Sequence, residues 1–139
     1  MRRKLAIAQK PVGNFITIGV SHPSVQPDAN GFTYKSSSSY GIGSDGEVIA
    51  AGQVVIKDFC KLPVSSITQA DTFMQRRGTD KVFSAGDVVA VVLDCTAQTL
   101  RLQSATVRHV IDIQPQHHQQ KEWVLNVNMA GGDHQVQLI

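Results

Sequence analysis

The sequence predicts an all-β fold, an antiparallel two-sheet β-sandwich of jelly-roll type with at most one short helix. Three observations predict it. Valine and isoleucine total 27 of the 139 residues, against seven leucines and two glutamates, so the chain is rich in residues that suit a pleated, half-buried surface and poor in those of exposed helix faces. Apolar and polar residues alternate with period two through much of the C-terminal half. Turn residues punctuate the chain at hairpin spacing, which gives about ten strands.

Lys4 to Gln9 reads as the first strand, and Lys10-Pro11-Val12-Gly13-Asn14 as a turn into a second, Asn14 to Val20, forming a hairpin with it. Residues 21–37 hold Pro23, Pro27, an Asp28-Ala29-Asn30-Gly31 turn and serines, the composition of a long surface loop. Tyr40 to Ile42 and Glu47 to Ala50 flank Gly43-Ser44-Asp45-Gly46, whose Asp-Gly step suits a tight hairpin. Val54 to Lys57 is a further short strand. From 58 to 81 the alternation is lost. Ser66 and Gln69 have capping-box spacing, and Ile67, Ala70 and Met74 share a helical face, so the one short helix belongs here.

Val88 to Asp94 is a continuous apolar run, as in a strand buried on both faces. Leu100 and Leu102 alternate with Thr99, Arg101 and Gln103. Val107, His109, Ile111 and Ile113 form another alternating set, ended by Pro115 and the polar stretch His117-His118-Gln119-Gln120. Trp123, Leu125, Val127 and Met129 alternate with Asn126 and Asn128, and Gly131-Gly132-Asp133 leads to a last strand, Gln135 to Ile139. Trp123 belongs by this pattern to the core.

The length allows one domain over residues 1–139 with a single core. Thirteen Lys+Arg against eleven Asp+Glu give a net charge of +2, scattered apart from Arg2-Arg3-Lys4 and Arg76-Arg77, so there is no electrostatic case for nucleic acid or a membrane surface. The longest apolar run is far short of a bilayer span, and no signal-like stretch follows the basic N-terminus. A soluble, cytoplasmic protein is expected. Cys60 and Cys95, far apart in sequence, form neither a disulfide framework nor a Cys-x-x-Cys site.

The order of these segments resembles the SPRY domain, the core of the B30.2 module. The likeness is carried by Ile18-Gly19-Val20, by Ser39-Tyr40-Gly41 followed by Ser44-Asp45-Gly46, and by Phe83-Ser84-Ala85-Gly86-Asp87-Val88-Val89, with Leu93-Asp94 and Thr99-Leu100 after it. It runs from about residue 4 to the C-terminus and is most specific from Phe83 to Leu100. The chain departs from the family in Leu5-Ala6-Ile7-Ala8, where aromatics and a glutamate are usual, and in Ser104-Ala105-Thr106, where an Asn-Gly turn is usual. The resemblance implies recognition of a peptide or folded protein by surface loops, often as the partner-selecting part of a multidomain protein such as a ubiquitin ligase. B30.2 modules carry strands ahead of the SPRY core, whereas here only a basic tripeptide precedes Lys4 to Gln9. A sheet lacking its outer strand would dimerise through that edge or be completed by a missing N-terminal segment or a partner, unless Arg2-Arg3-Lys4 blunts the edge by charge and the domain is a self-sufficient monomer.

Read for their own chemistry, the key residues are structural. Gly86 suits a left-handed turn entering the central strand, and Asp45, Asp87 and Asp133 sit beside glycines where aspartate caps turn amides. Gly41-Ile42-Gly43-Ser44-Asp45-Gly46 fits a dinucleotide-binding pattern formally, but a hairpin turn offers no helix N-terminus to a pyrophosphate. No nucleophile and base share a recognisable spacing, and no cofactor or metal is expected. His117 and His118, adjacent in a polar stretch, read as solvated. Binding through loops remains, and three segments stand out: 22–35 with His22, Phe32 and Tyr34, 72–81 with Gln75, Arg76 and Arg77, and 114–122, the first two carrying the residues favoured at hot spots. The alternatives are a carbohydrate- or small-ligand-binding jelly roll, which would set an aromatic beside exposed Asn or Asp side chains, and a small hydrolase with a metal at His117 and His118.

Overall fold

The computed structural model describes residues 2–9, 15–27, 32–57, 72–74, 82–83, 86–105, 107–130 and 135–139. The fold is almost wholly β. In chain order its strands are β1 (Arg2–Gln9), β2 (Phe15–Ser21), β3 (Tyr40–Gly43), β4 (Val48–Ala50), β5 (Gln53–Ile56), β6 (Thr72–Met74), β7 (Val88–Asp94), β8 (Thr99–Gln103), β9 (Val107–Asp112), β10 (Val124–Ala130) and β11 (Gln135–Leu138). Among the described residues the helical element is a 3₁₀ turn at Pro115–His117. Two antiparallel sheets result, one in the order β11-β1-β7-β8-β9-β6 and the other β10-β2-β3-β4-β5.

The core between them comes from the alternating positions. Ile16, Ile18, Val20, Tyr40, Ile42, Val48 and Ala50 meet Val89, Val91, Leu93, Leu100, Leu102, Val107, Ile111 and Ile113, joined by Val82 and Phe83. At about 1.5–3 kcal/mol for each large apolar side chain buried, this cluster is the main stabilising term. His109 is buried in the same inward row. Ser44 fastens the β3–β4 turn to both neighbours: its hydroxyl accepts from the Ile16 amide at 3.1 Å, its own amide donates to the Ile16 carbonyl, and its carbonyl accepts from the Val82 amide at 2.9 Å. Gly46 takes φ +90° in that turn and Gly86 φ +88° before β7, as expected of turn glycines.

Several expectations change. The first two strands do not form a hairpin: β1 lies between β11 and β7, whereas β2 lies in the other sheet between β10 and β3. Period-two patterning tells which face a residue takes, not which strand lies beside it, so sequence adjacency was the wrong guide. β1 is consequently no edge, because the C-terminal strand supplies the pairing (Leu5 with Leu138, Ala6 with Gln137, Ile7 with Val136) that the N-terminus was expected to lack. β7 is buried on one face only, with Val89, Val91 and Leu93 inward, Val88 exposed and Ala90 and Val92 half-buried. The strands buried along all or almost all of their length are β2, β3 and β4. Met74, assigned above to a helical face, lies in β6, which pairs with β9 from Thr72 opposite His109 to Met74 opposite Val107. The rest of that candidate helix lies outside the described residues.

Candidate functional site

β2 explains where a site forms. Its inward residues Ile16, Ile18 and Val20 are apolar, but Thr17 and Ser21, which point to the outer face of the five-stranded sheet, are buried as well. Something must cover that face. Cross-strand register aligns Asn126, Gly19, Gly41 and Ile49 in one outer row and Asn128, Thr17 and Gly43 in the next. Ile49 is only 1% exposed although it belongs to this outer row.

The cover is the segment 32–39, part of the stretch expected to be a surface loop. Thr33 anchors it: its amide donates to Asn128 Oδ1 at 2.7 Å and its hydroxyl to Asn126 Oδ1 at 2.5 Å. Asn128 Nδ2 donates to Asn126 Oδ1 at 2.7 Å, and the Ser39 hydroxyl donates back to the Thr33 carbonyl at 2.7 Å. Buried amides are tolerated only when paired in this way. Farther along, the carbonyls of Lys35 and Ser36 lie against Gly52, where an added Cβ would come within 2.6 and 2.3 Å of them. Ala51 and Gly52 both take positive φ, 50° and 77°, in the two-residue β4–β5 turn, which is the geometry that matches strand twist.

At the end of this cover the aromatic side chains gather. Tyr34 packs edge-on to Phe15 with ring centroids 5.7 Å apart and lies 5.6 Å from the Phe32 ring, while Lys35 Nζ is 5.7 Å from the Tyr34 centroid. Beside them an open cleft of about 620 Å³ is lined by Tyr34, Lys35, Glu47, Gly52, Gln53 and Val54. Its size is that of a small-ligand site. One wall is a ring held by two aromatic neighbours, and the others carry a cation, a carboxylate and an amide. That set can recognise a side chain or ring by stacking, charge and hydrogen bonding together.

Of the residues singled out in the sequence, Phe32 and Tyr34 meet here. His22 does not join them: it follows the C-terminal end of β2, whereas Phe15 begins that strand, seven steps of about 3.3 Å away. Its Nδ1 is 2.6 Å from the Ser24 hydroxyl and accepts from the Ser24 amide at 3.1 Å, closing a local turn. Gln75, Arg76 and Arg77 lie outside the described residues. Phe15, Lys35, Glu47 and Gln53 were missed, being contributed by separate elements. The available signal was the outer-row glycines at 19, 41 and 43, which leave a flat strip for chain to lie on.

A second cluster closes one end of the sandwich. Tyr40, inward-facing and 1% exposed, accepts the Gln114 amide at its hydroxyl (3.1 Å), and that hydroxyl is hydrogen-bonded with His117 Nδ1 (2.5 Å). Burial raises the Tyr40 pKa, offset by the Gln114 hydrogen bond, and burial lowers that of His117. Both shifts favour the neutral form. Trp123 completes the cluster, 5.9 Å from the Tyr40 ring and half-buried against the core rather than within it. The two histidines read as solvated are hydrogen-bonded, since His118 Nε2 donates to the Ile113 carbonyl at 2.7 Å. Tucking the 3₁₀ turn over Tyr40 brings both rings into reach of partners that sequence spacing did not reveal.

Fold and clusters together define a β-sandwich with one outer face covered by its own chain and an aromatic-walled cleft where the cover ends. The sequence matches no protein-family model, and no curated protein matches it. Among the described residues no helix is long and apolar enough to cross a membrane.

Proposed function

We propose that this chain is a non-catalytic recognition module that binds a peptide or protein partner at the cleft beside Tyr34. The supporting observation is the Tyr34 ring, fixed between Phe15 and Phe32 and flanked by Lys35, Glu47 and Gln53 at an open depression. A pre-set aromatic with charged neighbours loses little conformational entropy on binding, which is why such groups dominate interface energetics. The resemblance to SPRY domains supports the same reading. It extends it to a partner-selecting role within a larger cytoplasmic assembly such as a ubiquitin ligase.

A second reading is binding of a saccharide, favoured by the Tyr34 ring standing beside the Glu47 carboxylate and Gln53 amide, groups suited to stacking on a sugar face and bonding its hydroxyls. Selection of a displayed random-peptide library, with a glycan array in parallel, tests both. Peptides should be enriched, and Tyr34→Ala and Lys35→Glu should each weaken the selected peptides about tenfold or more. Peptides that bind both variants unchanged would refute the site, and array binding lost in Tyr34→Ala without peptide enrichment would favour the saccharide.

A further inference from the structure

An edge strand offers its outward N–H and C=O groups to another chain unless it is short, bulged, charged or interrupted by proline. Among the described residues the two sheets have four edges: β11, β6, β10 and β5. β6 has three residues. β11 and β5 have four each, and both lose regular register, β11 between Ile7 and Gln9 of its neighbour and β5 between Val48 and Ile49 of its own. β10 has none of these protections. Its seven residues pair with β2 at seven successive positions without a shift, and Val124-Leu125-Asn126-Val127-Asn128-Met129-Ala130 contains neither charge nor proline. Val124 is 41% and Met129 45% exposed, and Leu125 and Val127 are only half-buried.

The strand is also self-complementary. If it is laid antiparallel on a copy of itself about Val127, valine faces valine, Asn126 faces Asn128, Leu125 faces Met129 and Val124 faces Ala130. Apolar meets apolar and amide meets amide at every position. Centring on Asn126 or Asn128 instead shortens the overlap to five pairs and sets an asparagine against Val124 or Ala130. A slip of one residue turns the partner sheet over, joining the core face of one copy to the outer face of the other.

We propose that two copies of this chain associate by antiparallel pairing of β10 with β10, centred on Val127, into one continuous ten-stranded sheet. The occupant is a second copy because the pattern repeats about its own midpoint, as an isologous two-fold contact requires. The pairing leaves the Tyr34 cleft free, since Gln53 and Val54 of its lining belong to the opposite edge strand. It is independent of what that cleft binds.

Sedimentation equilibrium of the full chain from about 1 to about 300 μM should show a concentration-dependent dimer. In a chain with Cys60 and Cys95 replaced by serine, Val127→Cys should form a disulfide-linked dimer under mild oxidation. Met129→Cys alone should not, but should link to Leu125→Cys when the two are mixed. Met129→Lys, which alters an exposed side chain, should weaken dimerisation about tenfold or more while the circular dichroism spectrum stays unchanged. A monomer at every concentration, a dimer insensitive to Met129→Lys, or self-linking of Met129→Cys without that of Val127→Cys would overturn the proposal.

Discussion

Replacing Gly19 by alanine should be among the most damaging single-methyl additions to this fold. Gly19 and Gly41 face each other across β2 and β3, and a Cβ built on Gly19 falls 1.9 Å from the Tyr40 carbonyl oxygen, 2.6 Å from Gly41 Cα and 2.8 Å from the Tyr40 carbonyl carbon. All three are backbone atoms. Comfortable contact is about 3.5 Å, so the strands must part by about 1.5 Å in the middle of their four-pair ladder. Overpacking a core costs about 1–3 kcal/mol, and one or two weakened ladder hydrogen bonds add about 1 kcal/mol each, for about 2–5 kcal/mol in all. Set against a typical stability of about 5–15 kcal/mol, the variant should be marginal. Gly43→Ala is the control, because its Cβ would meet a side chain, the Phe15 ring edge, at 3.3 Å. The ring can yield, and alanine in a strand regains about 0.5–1 kcal/mol over glycine, so this variant should lie within about 1 kcal/mol of the parent. Urea denaturation followed by fluorescence of the single tryptophan, half-buried Trp123, and by circular dichroism measures both. A Gly19→Ala protein within about 1 kcal/mol of the parent, or one more stable than Gly43→Ala, would refute the reasoning.

Thr33→Val should cost about 1–3 kcal/mol in the same assay, since it strips a hydroxyl donor from the buried Asn126 carbonyl, and Thr33→Ser should restore most of it. Lys35 is exposed, so Lys35→Glu should leave stability within about 0.5 kcal/mol while weakening binding of selected peptides about tenfold or more. Stability should also fall with acid through His117. Its folded pKa is depressed, so the unfolded chain takes up the proton more readily; the contribution is complete above the ordinary histidine value of about 6.5 and is lost as pH drops from there through the folded pKa. Melting temperatures of the parent and His117→Gln between pH 7.5 and 5 should converge toward acid, and parallel curves would remove His117 from the explanation.

The parts of the fold legible in the sequence are those governed by local rules. The inward rows of β8 and β9 were readable because period-two alternation reports directly which side of a sheet is wet. Neighbour choice was not readable. Nothing local distinguishes β2 pairing with β1 from β2 pairing with β10 and β3, since the choice depends on what the distant segments Val124–Ala130 and Tyr40–Gly43 can offer. The continuous apolar run of β7 misled for a related reason: valine also suits a face left half-open to water, so composition alone overstated its burial. The β4–β5 turn was missed because Ala51 holds a positive φ that its residue type does not advertise.

The site was half legible, and the missing half has a physical cause. Phe32 and Tyr34 stood out because aromatics in a loop need a reason to be there. Their partners Phe15, Glu47 and Gln53 sit on three strands and turns that only the folded register brings to one place. One line of evidence was nonetheless present in β2, whose outward positions are Thr17, Gly19 and Ser21. A solvent-facing row in so apolar a strand would carry larger polar or charged groups, and a row packed on a second sheet would carry branched apolar ones. Small residues with hydroxyls or no side chain at all fit a third case, a face covered by chain running close to the backbone and tied down by hydrogen bonds. Gly52 fits the same cover, since the Lys35 and Ser36 carbonyls lie where its side chain would stand. The cleft lies at the margin of the cover beside Tyr34, where Lys35, Glu47 and Gln53 supply its chemistry.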